Sequence, residues 1–193
     1  MGVTLAQWDD EAAVQVFRAL DPYDWIEAEL ARGGTQGALG LFADWRMLNS
    51  MRFLSRLAYC QRDGKPVPFA VVGVNETGQA GVAEAALLAR RHVYFRRELA
   101  QLGLMVRREM PGLCARVGVR RIEARSWAGH PTAGAFLRAC GFQHEAIMPG
   151  FGQRGRDVFN LFAWVATNEE KDHVSDEETT GADRASAAGN RAA

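Results

Sequence analysis

The stretch His130–Phe142, HPTAGAFLRACGF, decides how the fold is read. Pro131 suits the first turn of a helix, where a missing N–H removes no hydrogen bond, and His130 then stands at the N-cap. Ala133, Phe136, Leu137 and Cys140 recur at i, i+3, i+4 and i+7, which gives a short helix one buried face. Gly141 can take the left-handed conformation that ends a helix, and Phe142 can pack back on it. A β-rich run, VRRIEARSW (119–127), comes before. Two more, QHEAIMPG (143–150) and DVFNLFAWV (157–165), come after, joined by the glycine-rich loop FGQRGR. The order is strand, short helix, Gly-Phe, then a hairpin.

Working back toward the N-terminus, GVTLAQW (2–8) reads as a first strand. Helices are expected over EAAVQVFRAL (11–20), where Ala12, Val16, Phe17 and Leu20 keep helical spacing, over DWIEAELARGG (24–34), and over QGALGLFADWRMLN (36–49). FLSRLAYCQ and PFAVVGV flank Asp63-Gly64, a hairpin signal. Asn75–Gly81 is a further turn. VAEAALLAR (82–90) follows; its propensity suits a helix as well as a strand, and context favours the strand. Leu99, Leu102, Met105 and Val106 then share one face of a long helix, which Gly112–Val119 closes.

The chain has 193 residues, 48% hydrophobic and 24% charged, which suits one globular domain with a substantial core. Its formal net charge is zero, so no global basic field favours nucleic acid. Acidic residues outnumber basic ones after Ala166, and large apolar residues almost vanish there. Such a stretch cannot bury enough surface to offset its ordering entropy. The expected division is a folded domain over 1–166 and a disordered acidic tail over 167–193. Cys60, Cys114 and Cys140 are widely spaced in apolar surroundings and read as reduced core residues. The N-terminus lacks a signal-peptide pattern, and no apolar run is long enough to span a membrane. A cytoplasmic location is expected.

Over Val119–Val165 the chain resembles the C-terminal half of the GCN5-related N-acetyltransferases (GNAT family). Their helix pattern Asn-x-x-Ala-x-x-(Leu/Phe)-Tyr-x-x-x-Gly-Phe is met by His130, Ala133, Phe136, Leu137 and Gly141-Phe142. The upstream order also suits the family, so the resemblance implies a mixed α/β fold, a GNAT-like acyl-CoA N-acyltransferase fold in a single domain. The run LLARRHVYFRREL (87–99) is in addition similar to acetyltransferase-like proteins that tailed phages encode near their virion genes. Some of those are internal virion proteins.

The resemblance implies acetyl-CoA as cosubstrate, lying in the splay between the fourth and fifth strands, and an amine that attacks the thioester. It places the coenzyme along Leu87 and Leu88 and on the turn that follows. In the family that turn reads (Arg/Gln)-x-x-Gly-x-(Gly/Ala), and its bare peptide N–H groups at a helix start hold the pyrophosphate. Here it reads Arg90-Arg91-His92-Val93-Tyr94-Phe95-Arg96-Arg97, without glycine. Side chains of Arg90, Arg91, Arg96 and Arg97 would have to hold the phosphates instead. Leu137 stands where many members carry a general-acid tyrosine, and leucine has no proton to give. Glu84, on the fourth strand, is a candidate general base if burial raises its pKa. It is equally the polar residue an alternating strand shows to solvent. His130 is an N-cap and a second candidate base. No metal-ligand spacing is present.

Two functions follow. One is an N-acyltransferase that passes an acetyl group from acetyl-CoA to an amine. The other is a catalytically silent GNAT-fold component of a virion or its assembly, with virion proteins as partners. Neither calls for a membrane, and nucleic acid has little beyond a mildly basic body to recommend it.

Overall fold

The computed structural model describes residues 2–34 and 37–167. The tail expected to be disordered lies outside the described residues from position 168 on.

Acidic caps start the first two helices. Asp9 accepts the Ala12 N–H at 2.8 Å and opens α1 (Asp10–Phe17). Asp21 accepts the Tyr23 N–H at 3.1 Å and opens α2 (Pro22–Arg32), with Pro22 in the first helical position. Gly33 ends α2 with φ of 75°, a conformation that a Cβ would strain. α3 spans Gly37–Leu48.

Seven strands form one sheet in the order β1-β2-β3-β4-β5-β7-β6. They are β1 (Thr4–Gln7), β2 (Arg52–Arg62), β3 (Lys65–Glu76), β4 (Val82–Ala89), β5 (Arg121–Trp127), β6 (Gln143–Phe151) and β7 (Asp157–Val165). The hairpin between β2 and β3 turns on Asp63 and Gly64 with φ of 50° and 74°, the positive values a tight two-residue turn needs. β3 runs on through Asn75 and Glu76, so the following turn is shorter than expected. Residues 82–89 form a strand because β3 pairs with nearly all of them, from Glu76↔Ala83 to Ala70↔Ala89.

β4 and β5 are parallel neighbours, joined by α4 (Arg96–Val117). α4 passes through Pro111 and Gly112 and ends on Gly118, φ 72°. The closing segment expected from Gly112 is therefore helical to Val117. The helix of the 130–142 stretch, α5, spans Ala133–Ala139 and begins later than Pro131 predicts. His130 still caps it: its ring Nδ1 accepts the peptide N–H groups of Ala133 at 3.0 Å and Thr132 at 3.3 Å. Pro131 falls in the turn before the helix.

Alternate residues of the central strands serve two cores. Leu57, Val71 and Leu88 pack with Phe17 and Trp45 of α1 and α3. Ala70, Val72 and Ala89 face the other way and pack with Phe95 and Leu102 at the start of α4. Further along, Met110 and Cys114 of α4 meet Ile122 of β5 and Phe162 of β7. Full burial of a side chain such as Phe17 or Leu102 contributes about 1.5–3 kcal/mol. All three cysteines are buried and unpaired, and burial pushes the thiols of Cys114 and Cys140 up to about 11 and about 12. They are core residues, not nucleophiles. No helix among the described residues is long and apolar enough to cross a membrane.

Candidate active site between β4 and β5

β4 and β5 pair over three residues, from Val82↔Arg121 to Glu84↔Glu123. The pairing then stops, while β4 runs on to Ala89 and β5 to Trp127. Two strands that separate leave facing peptide groups without a ladder partner, and buried peptide groups need one. Orientation along β4 shows which face the gap. The Arg90 N–H bonds the Phe69 carbonyl of β3, so the peptide groups of Ala89 and, by alternation, Leu87 point the other way, toward β5.

α2 bridges the gap with one acidic face. Asp21, Asp24 and Glu27 are spaced three apart, and on a helix that places them along one side. Asp24 Oδ2 accepts the Ala89 N–H of β4 at 2.6 Å. Glu27 Oε2 accepts the Trp127 N–H of β5 at 2.9 Å. The Ala89 carbonyl accepts the Asp21 N–H at 2.9 Å. Asp21 Oδ2 takes the His92 N–H, in the turn after β4, at 2.7 Å.

Two histidines complete the cluster. His130 Nε2 is 2.9 Å from Asp24 Oδ1. His92 Nε2 is 3.0 Å from the same oxygen but off the axis of its N–H, so this pair attracts as charges rather than through an in-line hydrogen bond. The two rings lie 5.4 Å apart between centroids. Burial opposes the charge on Asp24, but His130, His92 and the Ala89 N–H outweigh it and hold its pKa below the ordinary value. Burial also opposes a charge on His92, and there Asp24, Asp21 and Glu27 win and raise the pKa. Glu27 has less help. Burial pushes its carboxyl to about 7, with the Trp127 N–H offsetting only part.

By distance alone, Asp24, His92 and His130 could hold a metal, since their donor atoms lie within 4.8 Å of one another. The hydrogen bonds oppose it. His130 Nδ1 accepts two peptide N–H groups and so carries no proton. The ring proton is then on Nε2, donated to Asp24, and Nε2 has no lone pair for a metal.

A cavity of about 680 Å³ fills the gap, with Asp24, Glu27, His92 and His130 at one side and Leu87 and Leu88 along β4. Among the residues singled out from sequence, Glu84, Leu87, Leu88, Arg96 and His130 line it. Glu84 is 3.5 Å from Arg125 and its side chain is 37% exposed. His130 is buried, with both ring nitrogens engaged. Arg90 is turned away: its guanidinium donates to the Pro68 carbonyl at 2.8 Å and lies 5.5 Å from the Phe95 ring centroid. Arg91 is exposed, with φ of 22°. Arg97 lines a second hollow of about 370 Å³ with Arg62, Tyr94 and Arg96. Tyr94 is 60% exposed.

No protein-family model and no curated protein sequence matches the chain. Solved structures do. An acetyltransferase of the GNAT family from Bacillus anthracis superposes with a TM-score of 0.63 at 9% identity, covering 86% of this chain and 95% of that one. The chain has the GNAT acetyltransferase fold. The ribosomal-protein-S18-alanine N-acetyltransferase from Escherichia coli matches with a TM-score of 0.59 at 15% identity, covering 88% and 97%. So does yncA, a putative acetyltransferase from Salmonella typhimurium solved with its cofactor acetyl-CoA, with a TM-score of 0.57, 11% identity and the same coverages. The GNAT fold expected from the 130–142 stretch is thus found over most of the chain.

Sequence reasoning missed Asp21, Asp24 and Glu27. Their signal was present, since three acids at helical spacing face one way. It was hidden because acids near a helix start are ordinarily read as dipole partners.

Proposed function

We propose that this chain is an N-acyltransferase that takes an acetyl group from acetyl-CoA and passes it to an amine, in the opening between β4 and β5. The observation that carries this reading is Glu27: a half-buried carboxyl that lines that opening, accepts the Trp127 N–H, and is pushed to about 7. A group poised near neutral pH can accept the proton of an ammonium acceptor and release it again. Glu84, paired with Arg125 and partly exposed, is the weaker base. His130 is a positioning residue, since both ring nitrogens are committed to the α5 cap and to Asp24. The acyl arm would run along Leu87 and Leu88, and Arg96, at the start of α4, would meet phosphate oxygens. Arg91 and Arg97 are exposed cations nearby; Arg90 is committed to Pro68.

The test is transfer to a panel of primary amines, followed by release of the coenzyme thiol. Glu27→Gln should lower kcat about 10²-fold or more while leaving acetyl-CoA binding in place. Glu84→Gln should stay near the parent rate. A Glu27→Gln variant at full rate would remove Glu27 from the mechanism.

One observation favours a second reading, a protein of this fold that is catalytically silent. Asp24 and Asp21 already occupy the N–H groups of Ala89 and His92, at the strand end and turn where the coenzyme would lean. Fold alone does not imply chemistry. Absence of coenzyme binding would support this reading.

A further inference from the structure

Thr132 stands at the mouth of the same cavity, exposed, in the turn that leads into α5. Its Oγ1 is 3.3 Å from His92 Nδ1. On the far side of that ring, Nε2 is 3.0 Å from Asp24 Oδ1. Asp24 is in turn fixed by the Ala89 N–H and by His130. The backbone of Thr132 is held too, since its N–H donates to His130 Nδ1. A hydroxyl, a base within reach, and a carboxylate behind the base are the three parts of an activated oxygen nucleophile. The parts come from three separate segments: α2, the turn after β4, and the turn before α5.

We infer that Thr132 is an acyl-accepting nucleophile, with His92 as its base and Asp24 as the carboxylate behind it, and that its substrates are activated acyl esters and thioesters. For a thioester donor this rests on the acetyl-CoA reading above. Thr132 Oγ1 bonds to the thioester carbonyl carbon while its proton passes to His92 Nδ1. The C–S bond breaks, and the proton goes on to the departing thiolate. An O-acyl threonine and a free thiol result. An amine that has given one proton to Glu27 then attacks the ester carbonyl. The ester C–O bond breaks, the second amine proton returns through His92 to the threonine oxygen, and Glu27 releases its proton to water. The neutral His92 this requires carries its proton on Nε2, the nitrogen nearer Asp24 though not in line with it, and leaves Nδ1 free to accept. Asp21, 3.8 Å from Nδ1, and Glu27 add negative charge around the ring and make it a stronger base.

The experiment treats the full chain separately with p-nitrophenyl acetate and with acetyl-CoA, quenches in acid, and maps acetyl groups by mass. Hydroxylamine distinguishes a labile ester from a stable lysine amide. The expected result is an ester on Thr132 from both donors, present in Thr132→Ser, absent in Thr132→Val, and formed about 10²-fold more slowly in His92→Gln. An ester from p-nitrophenyl acetate alone would keep the nucleophile and overturn the coenzyme reading. No ester on Thr132 from either donor would overturn the inference. So would amine acetylation by Thr132→Val at the parent rate, which would leave the acetyl-CoA reading standing.

Discussion

Asp24 and Glu27 stand one helical turn apart on α2 and accept peptide N–H groups from opposite lips of the same opening, Ala89 of β4 and Trp127 of β5. The two carboxylates thus take over the bonding that the strands give up when they part. One helix face both closes a gap in the sheet and places two acids of contrasting character inside it. Asp24, contacted by two histidines, is held ionised, whereas Glu27 is poised near neutrality.

Asp24→Asn tests the structural half of this arrangement. An amide offers one acceptor oxygen where the carboxylate offers two, so its NH2 group must face either the Ala89 N–H or the His130 N–H. The expected loss is about 3 kcal/mol in urea unfolding, the scale of a broken buried charged network. A loss below about 1 kcal/mol would mean the network contributes little.

Stability should fall as pH rises through the neutral range. Glu27 goes from 4.5 to about 7 on folding, so the folded state binds the extra proton between those values. That group favours folding at low pH, and the advantage disappears as pH climbs past 7, by an amount on the order of 3 kcal/mol. His92 acts in the same direction. Its raised pKa means the stabilisation from Asp24, Asp21 and Glu27 is full below its unfolded value and is lost as pH passes its folded one. Melting temperatures across this range should show the decline, and Glu27→Gln should flatten part of it. An unchanged slope in that variant would contradict the assignment.

Gly73→Ala tests the packing behind the opening. A Cβ there would lie 2.7 Å from Arg52 Nε and 3.0 Å from Trp45 Cζ2. Arg52 is pinned, with its guanidinium 4.0 Å over the Trp45 ring and a 2.9 Å bond to the Trp45 carbonyl. Neither can yield cheaply, so the substitution should cost about 1–3 kcal/mol, measured by the same unfolding assay. Gly34→Ala, where nothing lies within 4 Å, is the control.

Much of the fold was legible because each cue was local. Gly141-Phe142 ended a helix, Asp63-Gly64 turned a hairpin, and the periodicity from Leu99 to Val106 marked the long helix. The ambiguous 82–90 run needed context, since its alanines and leucines carry no strand signal of their own and β3 decides the matter by pairing. The site was less legible. His130 could be placed at the start of α5, but its bond to Asp24 spans 106 positions in the chain. Asp24 to Ala89 and Glu27 to Trp127 are just as non-local. The orientation of Arg90 away from the opening depends on the Pro68 carbonyl, which no pattern in the turn itself announces.

Calorimetric titration of the full chain with acetyl-CoA tests the central claim most directly. The account predicts saturable one-site binding, weakened by about 2 kcal/mol, roughly thirtyfold, in Arg96→Ala, because a charge-assisted phosphate contact is lost. No binding by the parent chain, even at millimolar coenzyme, would contradict it and leave the opening between β4 and β5 as a fold feature without a coenzyme.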